Sequence, residues 1–598
     1  MSDFTAKFPT LLDIYTNSIE QFADRPLFGT KRGGTWEWST YGEFGERVDN
    51  TRSGLAGLGI GLGDKVAIIA DNREEWAVVA YAAYGLGAAV VPMYEAQTTD
   101  NWAFVLGDSD SRAVFVSTPD VAERLETVRG SLDGLEYQFV MEGAAAEDWG
   151  TLIDLQETGS KLPVGMSDVG EDQIAGFVYT SGTTGKPKGV LLTQRNLAYN
   201  VSSITDVFPI YPTDRTLSFL PWAHAFGQTV ELHTIFAMGG STAFATAVAE
   251  ITSNLPEVKP TMLVSVPTVF GRIYTGLNKR MAEGSSVQKM IFDQAMSNAS
   301  KKRSLAEQGK SSWFVDMQQN LFDKLVFSKV RDGLGGNLTY AISGGAAIPV
   351  EVAEFIDNLG VTVYEGYGLS ETSPIATANW PDSRKIGSVG KPIPGTSVSL
   401  DTAASADPRD GEIVIYGHNV MKGYHNRPEE NAKVFTDDGG FRSGDLGRID
   451  DDGFLFITGR VKEQYKLENG KYVVPTPIEE KIGLSAYVAN VMVYGDNKPF
   501  NVAVIVPDEP AVEEWAAAEG IEFEDFAGLV EDPRVHQLIG DEVDKAMADV
   551  KGYEKVRAFV VAPEDFTTEN GMLTPTLKVK RRIVIDHYGD EIQALYGE

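Results

Sequence analysis

The chain has 598 residues, of which 43 % are hydrophobic and 23 % charged, so it is long enough for several domains with sizeable cores. Its formal net charge of −33 argues against nucleic acid as a partner, because so acidic a surface repels phosphate. The sequence contains no cysteine, which excludes disulfides, thiolate metal sites and a cysteine nucleophile. The cytoplasm is the expected location.

The most apolar segment, Ala77–Tyr94, approaches the length of a membrane span, but it is rich in alanine and contains Gly85 and Gly87. We interpret it as a buried helix that leads into a strand at Ala88–Pro92. The N-terminal residues lack the cationic start and apolar run of a signal peptide. We therefore expect no transmembrane segment, while peripheral contact with a membrane is left open.

Strand-like runs alternate with helix-length segments through most of the first 400 residues. This alternation, punctuated by Gly and Pro, predicts an α/β architecture with largely parallel sheets. The clearest runs are Lys65–Ala70, Ala113–Ser117, Thr261–Val266 and Thr339–Ser343.

A mostly helical insert is predicted at Tyr274–Val330, where apolar residues recur at helical spacing on either side of a polar stretch. The polar stretch, Ser300–Ser312, is predicted to be a mobile connection. The spaced residues are Val287, Met290, Ile291 and Ala295 before it, and Phe322, Leu325, Val326 and Val330 after it.

The pattern changes from Gly411 onward, where Asp/Gly turns separate runs typical of antiparallel strands. A smaller α+β unit is predicted after Arg460. Its strands are expected at Val491–Tyr494 and Asn501–Val506, and one of its helices at Asp541–Asp549.

A loop rich in glycine and hydroxyl groups follows the strand-like run Ile174–Thr180. Its glycines allow backbone amides to approach an anion, its hydroxyls can donate hydrogen bonds, and its lysines can neutralise phosphate. Its position at the carboxyl end of a strand is where open α/β sheets bind ligands. The loop residues assigned to phosphate binding are Thr180, Ser181, Gly182, Thr183, Thr184, Gly185, Lys186 and Lys188.

This loop is not a Walker motif, because two residues rather than four separate Gly182 from Gly185, and Pro187 follows Lys186. The string Tyr179–Val190, YTSGTTGKPKGV, resembles the signature of the adenylate-forming enzymes, which include acyl-CoA synthetases, luciferases and peptide-synthetase adenylation domains. Further motifs of that family follow in order over nearly the whole chain. They are LPWAHAFGQ at Leu220–Gln228, SGGAA at Ser343–Ala347, YEGYGLSET at Tyr364–Thr372, SGDLG at Ser443–Gly447, GRVK at Gly459–Lys462 and LTPTLKVKRR at Leu573–Arg582.

The resemblance implies a large ATP/AMP- and acyl-binding domain at 1–459, with a β-barrel-like subdomain at about 383–459. It also implies a hinge at 460–462 and a mobile C-terminal domain at 463–598. Small residues after a strand let adenine approach the backbone, Tyr367 offers it an aromatic face, and Ser370 keeps a hydroxyl where many relatives have threonine. The implied nucleotide contacts are Gly344, Gly345, Ala346, Glu365, Tyr367, Gly368, Ser370, Asp445 and Arg460.

Four residues carry the chemistry that the resemblance implies. Glu371 matches the glutamate that binds Mg²⁺, since a carboxylate suits a hard cation that bridges phosphates. His224 matches the histidine that lines the carboxylate end of the acyl pocket. Lys462 occupies the hinge position, and Lys578 matches the lysine that contacts the reacting carboxylate and the α-phosphate. The nearby Lys580 is the alternative residue for this role.

The insert at Tyr274–Val330 and the ending LTPTLKVKRR resemble long-chain rather than short-chain acyl-CoA synthetases. The resemblance therefore implies a fatty acid–CoA ligase that uses ATP and CoA as co-substrates and Mg²⁺ as cofactor. Three alternatives stay open, namely a fatty acyl-AMP ligase that loads a carrier protein, a medium-chain or aryl acyl-CoA synthetase, and a catalytically silent nucleotide-binding protein. Oligomeric state is not indicated.

Overall fold

The protein has a mixed α/β fold, as the sequence predicts. The computed structural model describes residues 4–180, 187–282, 284–405, 407–568, 570–574 and 578–597. The chain divides into two compact units. The first comprises Met1–Pro267, Ser285–Ser399 and Val414–Arg442, and the second comprises Thr268–Gly284, Leu400–Ile413 and Ser443–Glu598. The division at 459 and 462 stays a prediction.

The first unit is built on an eight-stranded sheet, parallel over most of its width. The predicted strand Ile174–Thr180 is confirmed, and it pairs antiparallel with the strand that follows the phosphate loop. The strands, in spatial order, are Gly423–Tyr424, Lys188–Thr193, Ile174–Thr180, Ala89–Met93, Lys65–Ile69, Ala113–Val116, Tyr137–Val140 and Gly150–Thr151.

Two smaller sheets belong to the same unit. One is five-stranded and carries two of the family motifs at the ends of its parallel strands. Its strands are Met262–Ser265, Tyr340–Ser343, Thr362–Gly368, Ile375–Ala378 and Lys391–Pro392. The other is four-stranded, in the order Arg215–Ser218, Ser241–Phe244, Pro26–Arg32 and Thr35–Thr40.

Helices cover these sheets. The apolar segment after Glu74 is a fully buried helix, Glu74–Gly85, followed by the buried strand Ala89–Met93, which confirms the interpretation of Ala77–Tyr94. No described helix combines the length and the apolar character needed to cross a membrane. The other helices of the first unit outside the insert are Leu11–Phe22, Tyr41–Gly57, Thr99–Ser109, Pro119–Arg129, Leu152–Ser160, Gln194–Val207, the π-helix Gly227–His233, Thr234–Ala237, Ile251–Val258, Val350–Asn358 and Pro428–Val434.

The insert is mostly helical, as predicted, but the predicted mobile connection differs. Ser300–Glu307 is the end of a helix rather than part of a mobile connection, because Ser285 begins that helix with a capping box and strong helix formers continue it. Val287 and Met290 are 60 % and 52 % exposed, so their spacing does not mark a core face. The helices are Pro267–Ala282, Ser286–Glu307, Trp313–Phe322, the π-helix Asp323–Phe327 and Ser328–Gly333.

The β-rich region has an open four-stranded sheet in the described residues, not a closed barrel. Its order is Thr396–Asp401, Gly411–Gly417, Phe441–Ile449 and Leu455–Arg460. The last two pair antiparallel, as the Asp/Gly turns predict. The barrel-like expectation for 383–459 is thus corrected, since four strands are too few to close round a core.

The second unit continues with a hairpin, Tyr465–Lys466 and Tyr472–Val473, and a three-stranded sheet. The strands predicted near 491 and 501 are confirmed, whereas the helix predicted at Asp541–Asp549 begins earlier, at Pro533, and ends at Ala546. The sheet order is Val488–Tyr494, Asn501–Pro507 and Val556–Val561. The other helices after the hairpin are Thr476–Ile482, Glu509–Ala518, Phe526–Val530, Arg581–His587 and Gly589–Ala594.

Candidate active site

The two ends of the phosphate loop lie side by side in the first unit. Strands Ile174–Thr180 and Lys188–Thr193 pair antiparallel, with Thr180 opposite Lys188. The two strands that flank the predicted anion loop are therefore paired up to the last described residue on each side. The remaining predicted loop residues, Ser181, Gly182, Thr183, Thr184, Gly185 and Lys186, lie outside the described residues.

Lys188 is placed in a small polar cluster. Its Nζ lies 2.5 Å from Glu430 Oε2 and 5.2 Å from the centre of the Tyr424 ring. The lysine and a second partner, Lys433, hold the pKa of the Glu430 carboxyl at about 2. Lys188 is thus a fixed cation beside an anion and an aromatic face, which orients its ammonium group.

Glu371 belongs to the same cluster, because Tyr424 Oη donates to Glu371 Oε1 at 2.7 Å. Burial, followed by the charge of this carboxylate, raises the pKa of Tyr424 far above its usual value, so the tyrosine is a permanent hydrogen-bond donor. The Glu371 backbone is held too, since Met421 N donates to its carbonyl oxygen at 2.9 Å. The carboxylate is therefore fixed while remaining partly accessible.

Buried amides support the turn around Glu371. Asn200 Nδ2 and Asn419 Nδ2 both donate to Ile375 O, at 2.8 and 3.0 Å. Ser373 Oγ donates to Asn419 O at 2.9 Å. These contacts join the strand after the turn to helix Gln194–Val207 and to the segment that precedes Tyr424, so three distant parts of the chain fix the position of one carboxylate.

The small-residue turn predicted to bind adenine follows strand Tyr340–Ser343. Gly344 has no room for a side chain, since a Cβ there would lie 2.9 Å from the Phe226 ring. Gly345 has φ +85°, which favours glycine, and both Gly345 and Ala346 are exposed. Phe226 comes from the LPWAHAFGQ motif, so the fold brings that motif against the adenine turn.

The predicted contact residue Glu365 has a visible structural role. It is 6 % exposed, and its Oε1 accepts from Ile348 N at 3.0 Å. The carboxylate thus ties strand Thr362–Gly368 to the end of the small-residue turn. Glu365 would then affect nucleotide binding indirectly, by fixing the position of that turn.

Further residues of the YEGYGLSET motif lie in this strand and in the turn that follows it. Tyr367 is half-buried in the strand, and Ser370 is buried at 5 % exposure in the short 3₁₀ turn that also contains Glu371. Gly368 cannot be replaced without moving the backbone, because a Cβ would lie 1.7 Å from Pro374 O.

His224 lies in a tight loop before the π-helix Gly227–His233. Its Nδ1 accepts from Phe226 N at 3.2 Å, which leaves Nε2 as the protonated nitrogen of a neutral imidazole. The side chain is partly exposed between buried neighbours. The loop therefore presents the ring in one tautomer and one orientation.

A network of hydrogen bonds, partly or fully buried, supports the loop that contains His224. Trp222 N donates to Asn72 Oδ1 at 2.7 Å, and Asn72 Nδ2 donates to Leu220 O at 2.7 Å. Trp222 Nε1 donates to Glu231 Oε2 at 3.1 Å, and that oxygen also accepts from Ser218 Oγ. Burial raises the pKa of Glu231 to about 8, so this carboxyl is mostly protonated at neutral pH.

In the second unit, Asp445 and Arg460 lie directly opposite each other on adjacent antiparallel strands. Arg460 Nε is 3.1 Å from Asp445 Oδ1, and the side chain of Asp445 is only 8 % exposed. The residues before Asp445 form a tight turn, with Gly444 at φ +75° and Asp445 N donating to Ser443 Oγ at 3.1 Å. These two predicted nucleotide contacts therefore form an ion pair.

Lys462 and Lys578 also belong to the second unit, and both are exposed. Lys578 N donates to Thr574 Oγ1 at 3.0 Å, and the Lys578 carbonyl oxygen accepts from Thr574 N at 2.8 Å. The neighbouring Arg581 forms an ion pair with Glu479 and so has a structural role. Lys580 lies immediately before helix Arg581–His587.

Sequence reasoning missed Tyr424, Glu430, Asn72 and Glu231, which support predicted site residues. No local pattern identifies them, since they reach their partners across 53 residues for Tyr424 and 150 for Asn72. Among the described residues there is no group of three or more His, Asp or Glu side chains able to hold a metal. A single carboxylate such as Glu371 is nevertheless compatible with Mg²⁺, which often takes one or two carboxylates together with substrate phosphates.

Comparison with known proteins places the fold and these motifs in one family. Residues 15–425 match the model of the AMP-binding enzyme family, and residues 462–598 match that of the AMP-binding enzyme C-terminal domain. The chain therefore belongs to the AMP-binding enzyme family.

Two similar proteins are curated as long-chain enzymes. The chain is 34 % identical over 570 residues to long-chain-fatty-acid–CoA ligase FadD15 of Mycobacterium tuberculosis, covering 94 % of this chain and 93 % of that protein. It is 31 % identical to the peroxisomal long chain acyl-CoA synthetase 7 of Arabidopsis thaliana, covering 98 % and 86 %.

Solved structures share the fold at lower identity. The adenylation domain of a carboxylate reductase from Mycobacterium chelonae matches with a TM-score of 0.77 at 23 % identity, covering 98 % of this chain and 91 % of that one. The anthranilate CoA ligase AuaEII, in complex with anthranoyl-AMP, matches with a TM-score of 0.75 at 19 % identity and 99 % coverage of both chains.

Proposed function

We propose that this protein is an ATP-dependent long-chain fatty acid–CoA ligase. The observation that carries the proposal is the similarity to proteins named long-chain-fatty-acid–CoA ligase, which extends over 94 % of the chain and includes both family segments. The fixed Glu371 carboxylate and the Asp445–Arg460 pair supply chemistry that suits this reaction.

In the first half-reaction, a fatty acid carboxylate oxygen bonds to the α-phosphorus of ATP. The bond from that phosphorus to the bridging oxygen breaks, so pyrophosphate leaves and an acyl-adenylate forms. Because this step brings anions together, it needs cationic groups placed in advance. Lys188 and the phosphate loop are proposed to hold the phosphates, and Lys578 is proposed to contact the carboxylate and the α-phosphate.

Each part of the nucleotide is assigned to residues that the family resemblance implies. We assign the adenine to the turn Gly344–Ala346 and the face of Tyr367, and the ribose hydroxyls to Asp445, with Arg460 orienting that carboxylate. Ser370 is assigned to the α-phosphate. Glu371, fixed by Tyr424, would hold Mg²⁺, which would neutralise charge on the phosphate oxygens.

In the second half-reaction, the CoA thiol attacks the acyl carbonyl and AMP leaves as a thioester forms. Lys578 would obstruct the approaching thiol if it stayed beside the carbonyl. Movement at the proposed hinge, around Lys462, would remove it, and the turn at Leu467–Val473 is proposed to help line the thiol channel. His224 would lie at the carboxylate end of the acyl site in both steps. The cytoplasm stays the predicted location.

The test is pyrophosphate release measured with acids of graded chain length, with and without CoA. We expect release to be greatest with long-chain acids and to be accompanied by CoA consumption. Release without consumption of CoA, but with transfer to a phosphopantetheine carrier, would identify a carrier-loading ligase instead. A preference for aryl or medium-chain acids would refute the long-chain assignment, and the absence of pyrophosphate release with every acid tested would favour the catalytically silent protein.

A further inference from the structure

The carboxylate of Asp108 lies at the C-terminal end of helix Thr99–Ser109, in the first unit. A negative charge at that end of a helix meets the negative end of the helix macrodipole, which disfavours it. The side chain is also only 13 % exposed, so water does little to compensate the charge. Asp108 therefore does not stabilise its own helix, and its charge is balanced by contacts with distant parts of the chain.

The first of these contacts is with Tyr179, the residue that begins the motif YTSGTTGKPKGV. Tyr179 Oη donates to Asp108 Oδ2 at 2.8 Å. Burial, followed by this hydrogen bond, raises the pKa of Tyr179 far above its usual value, so the phenol stays a donor. Its ring packs on the paired strand, since a Cβ at the opposite residue, Gly189, would lie 3.0 Å from the ring. Asp108 thus holds a ring that spans the two strands flanking the phosphate loop.

The second contact is with Arg427, whose Nη2 lies 3.2 Å from Asp108 Oδ1. Arg427 belongs to the segment after strand Gly423–Tyr424, which pairs with the strand that follows the phosphate loop. His425 N, in the same segment, donates to Gly189 O at 2.8 Å. The carboxylate therefore joins the strand that enters the loop to a segment bonded to the strand that leaves it.

The segment that Asp108 holds also fixes two residues proposed to act on the phosphates. Tyr424 donates to Glu371, the proposed Mg²⁺ ligand, and Glu430 forms the ion pair with Lys188. One buried carboxylate is thus placed between the flank of the phosphate loop and the partners of these two residues. Asp108 is not itself suited to bind a ligand, because each of its oxygens is already in contact with a protein donor.

We propose that Asp108 is a positioning residue for the β- and γ-phosphates of ATP. It acts through Tyr179 and Arg427 by setting the loop flank relative to the Mg²⁺ ligand, and it does not touch the nucleotide. The inference rests on the proposed function, because it takes the loop after Tyr179 as the phosphate site. A merely structural role would weaken ATP and AMP binding alike, whereas a positioning role weakens ATP binding selectively, since AMP lacks these two phosphates.

The experiment is equilibrium binding of Mg²⁺-ATP and of AMP to the full chain, measured by calorimetry without fatty acid or CoA. We expect Asp108→Ala to raise the Kd for ATP roughly tenfold or more and the Kd for AMP less than about twofold, because contacts to a charged group are lost near the β- and γ-phosphates only. Tyr179→Phe keeps the ring over Gly189 and removes one hydroxyl. It should show the same selectivity with a smaller loss of ATP affinity, roughly threefold to tenfold.

The matched control is Asp49→Ala, in another helix of the first unit. Asp49 Oδ1 also accepts from a tyrosine and an arginine, Tyr15 Oη at 3.1 Å and Arg52 Nη1 at 2.7 Å. Its removal deletes the same kinds of contact away from the phosphate loop, so this variant should bind both nucleotides as the parent does. Circular dichroism checks the fold of each variant, and Tyr179→Phe decides alone if Asp108→Ala does not fold.

Two results would overturn the role of Asp108. They are ATP binding of parental strength in either folded variant, and an equal loss of ATP and AMP affinity. Failure of the proposed function is distinguishable, since a parent chain that binds ATP but forms no acyl-CoA with any acid would refute the ligase assignment and not the role of Asp108. A parent chain that binds no ATP would refute both.

Discussion

The Tyr424 hydroxyl donates a hydrogen bond of 2.7 Å to Glu371 Oε1, although 53 residues separate the two in the chain. Glu371 is the proposed Mg²⁺ ligand. A carboxylate that is held by a phenol in one orientation needs less reorganisation when a cation and phosphates arrive.

Replacing Tyr424 by Phe should therefore weaken the use of Mg²⁺-ATP while keeping the ring that faces Lys188. A hydrogen bond to a charged group contributes about 1.5–3 kcal/mol, so we expect the Mg²⁺ concentration for half-maximal adenylation to rise by roughly 10- to 100-fold. The measurement is pyrophosphate release in a Mg²⁺ titration. Glu371→Ala should have at least as large an effect.

The control for this prediction is Tyr416→Phe, which removes another hydroxyl that hydrogen-bonds a carboxylate, on Asp438 at an exposed site. It should leave the Mg²⁺ titration unchanged. If the Mg²⁺ titration were unaltered in both Tyr424→Phe and Glu371→Ala, Glu371 would not be the Mg²⁺ ligand.

Lys578→Ala should suppress adenylate formation by about 100-fold or more, because a cation that meets developing charge in the transition state is lost. The reaction of preformed acyl-adenylate with CoA should change far less, since the proposed geometry requires the lysine to leave before thiolysis. Single-turnover assays of each half-reaction measure the difference.

Lys580→Ala is the matched variant, two residues away at the start of helix Arg581–His587. It should retain adenylation. A larger defect in Lys580→Ala than in Lys578→Ala would transfer the role to Lys580, and equal loss of both half-reactions in Lys578→Ala would refute a role confined to adenylation.

Asp445 is predicted to recognise the ribose. Asp445→Ala should raise the KM for ATP by roughly 10- to 100-fold, since a charge-assisted contact to two hydroxyls is lost. The parent enzyme should discriminate strongly against 2′-deoxy-ATP, and the variant should discriminate little. If Asp445→Ala kept the full preference for ATP over 2′-deoxy-ATP, Asp445 would not contact the ribose. Its role would then be limited to the ion pair with Arg460 and the pairing of the two strands.

Glu231 should make stability depend on pH. Its pKa is raised from 4.5 to about 8 in the folded protein, so the folded state retains a proton that the unfolded chain releases. The stability contributed by this proton is complete below about pH 4.5 and is lost as pH rises through about 8, by up to about 5 kcal/mol.

Glu231→Gln resembles the protonated carboxyl and should remove this dependence, so the variant should be more stable than the parent above about pH 8. Urea denaturation of both proteins across pH measures the difference. Glu123→Gln, at an exposed position, is the control and should follow the parent curve. Parallel curves for Glu231→Gln and the parent would show that the buried carboxyl is not protonated.

Much of the fold is readable from local patterns. The continuous apolar run after Glu74 predicts a buried helix and strand because both faces of those elements are covered. Strand Ile174–Thr180 follows from its own residues, and the Asp/Gly turns after Gly411 predict antiparallel pairs. The family motifs are local as well, so the sequence alone places this chain among adenylate-forming enzymes.

Other features depend on distant segments and could not be predicted. Helical spacing at Val287 and Met290 indicates a helix, but only the packing shows that these side chains are exposed. The barrel-like expectation failed because strand-like patterns do not tell how many strands pair or whether a sheet closes.

The sequence by itself determined the order of the family motifs and the types of residue available for catalysis, and it predicts the phosphate loop. Only the tertiary structure decided which side chains hold those residues, such as Tyr424 on Glu371 and Asn72 on the loop of His224. The physical reason is that a motif reports residues adjacent along the chain. Orientation and protonation depend on buried contacts made across dozens of residues.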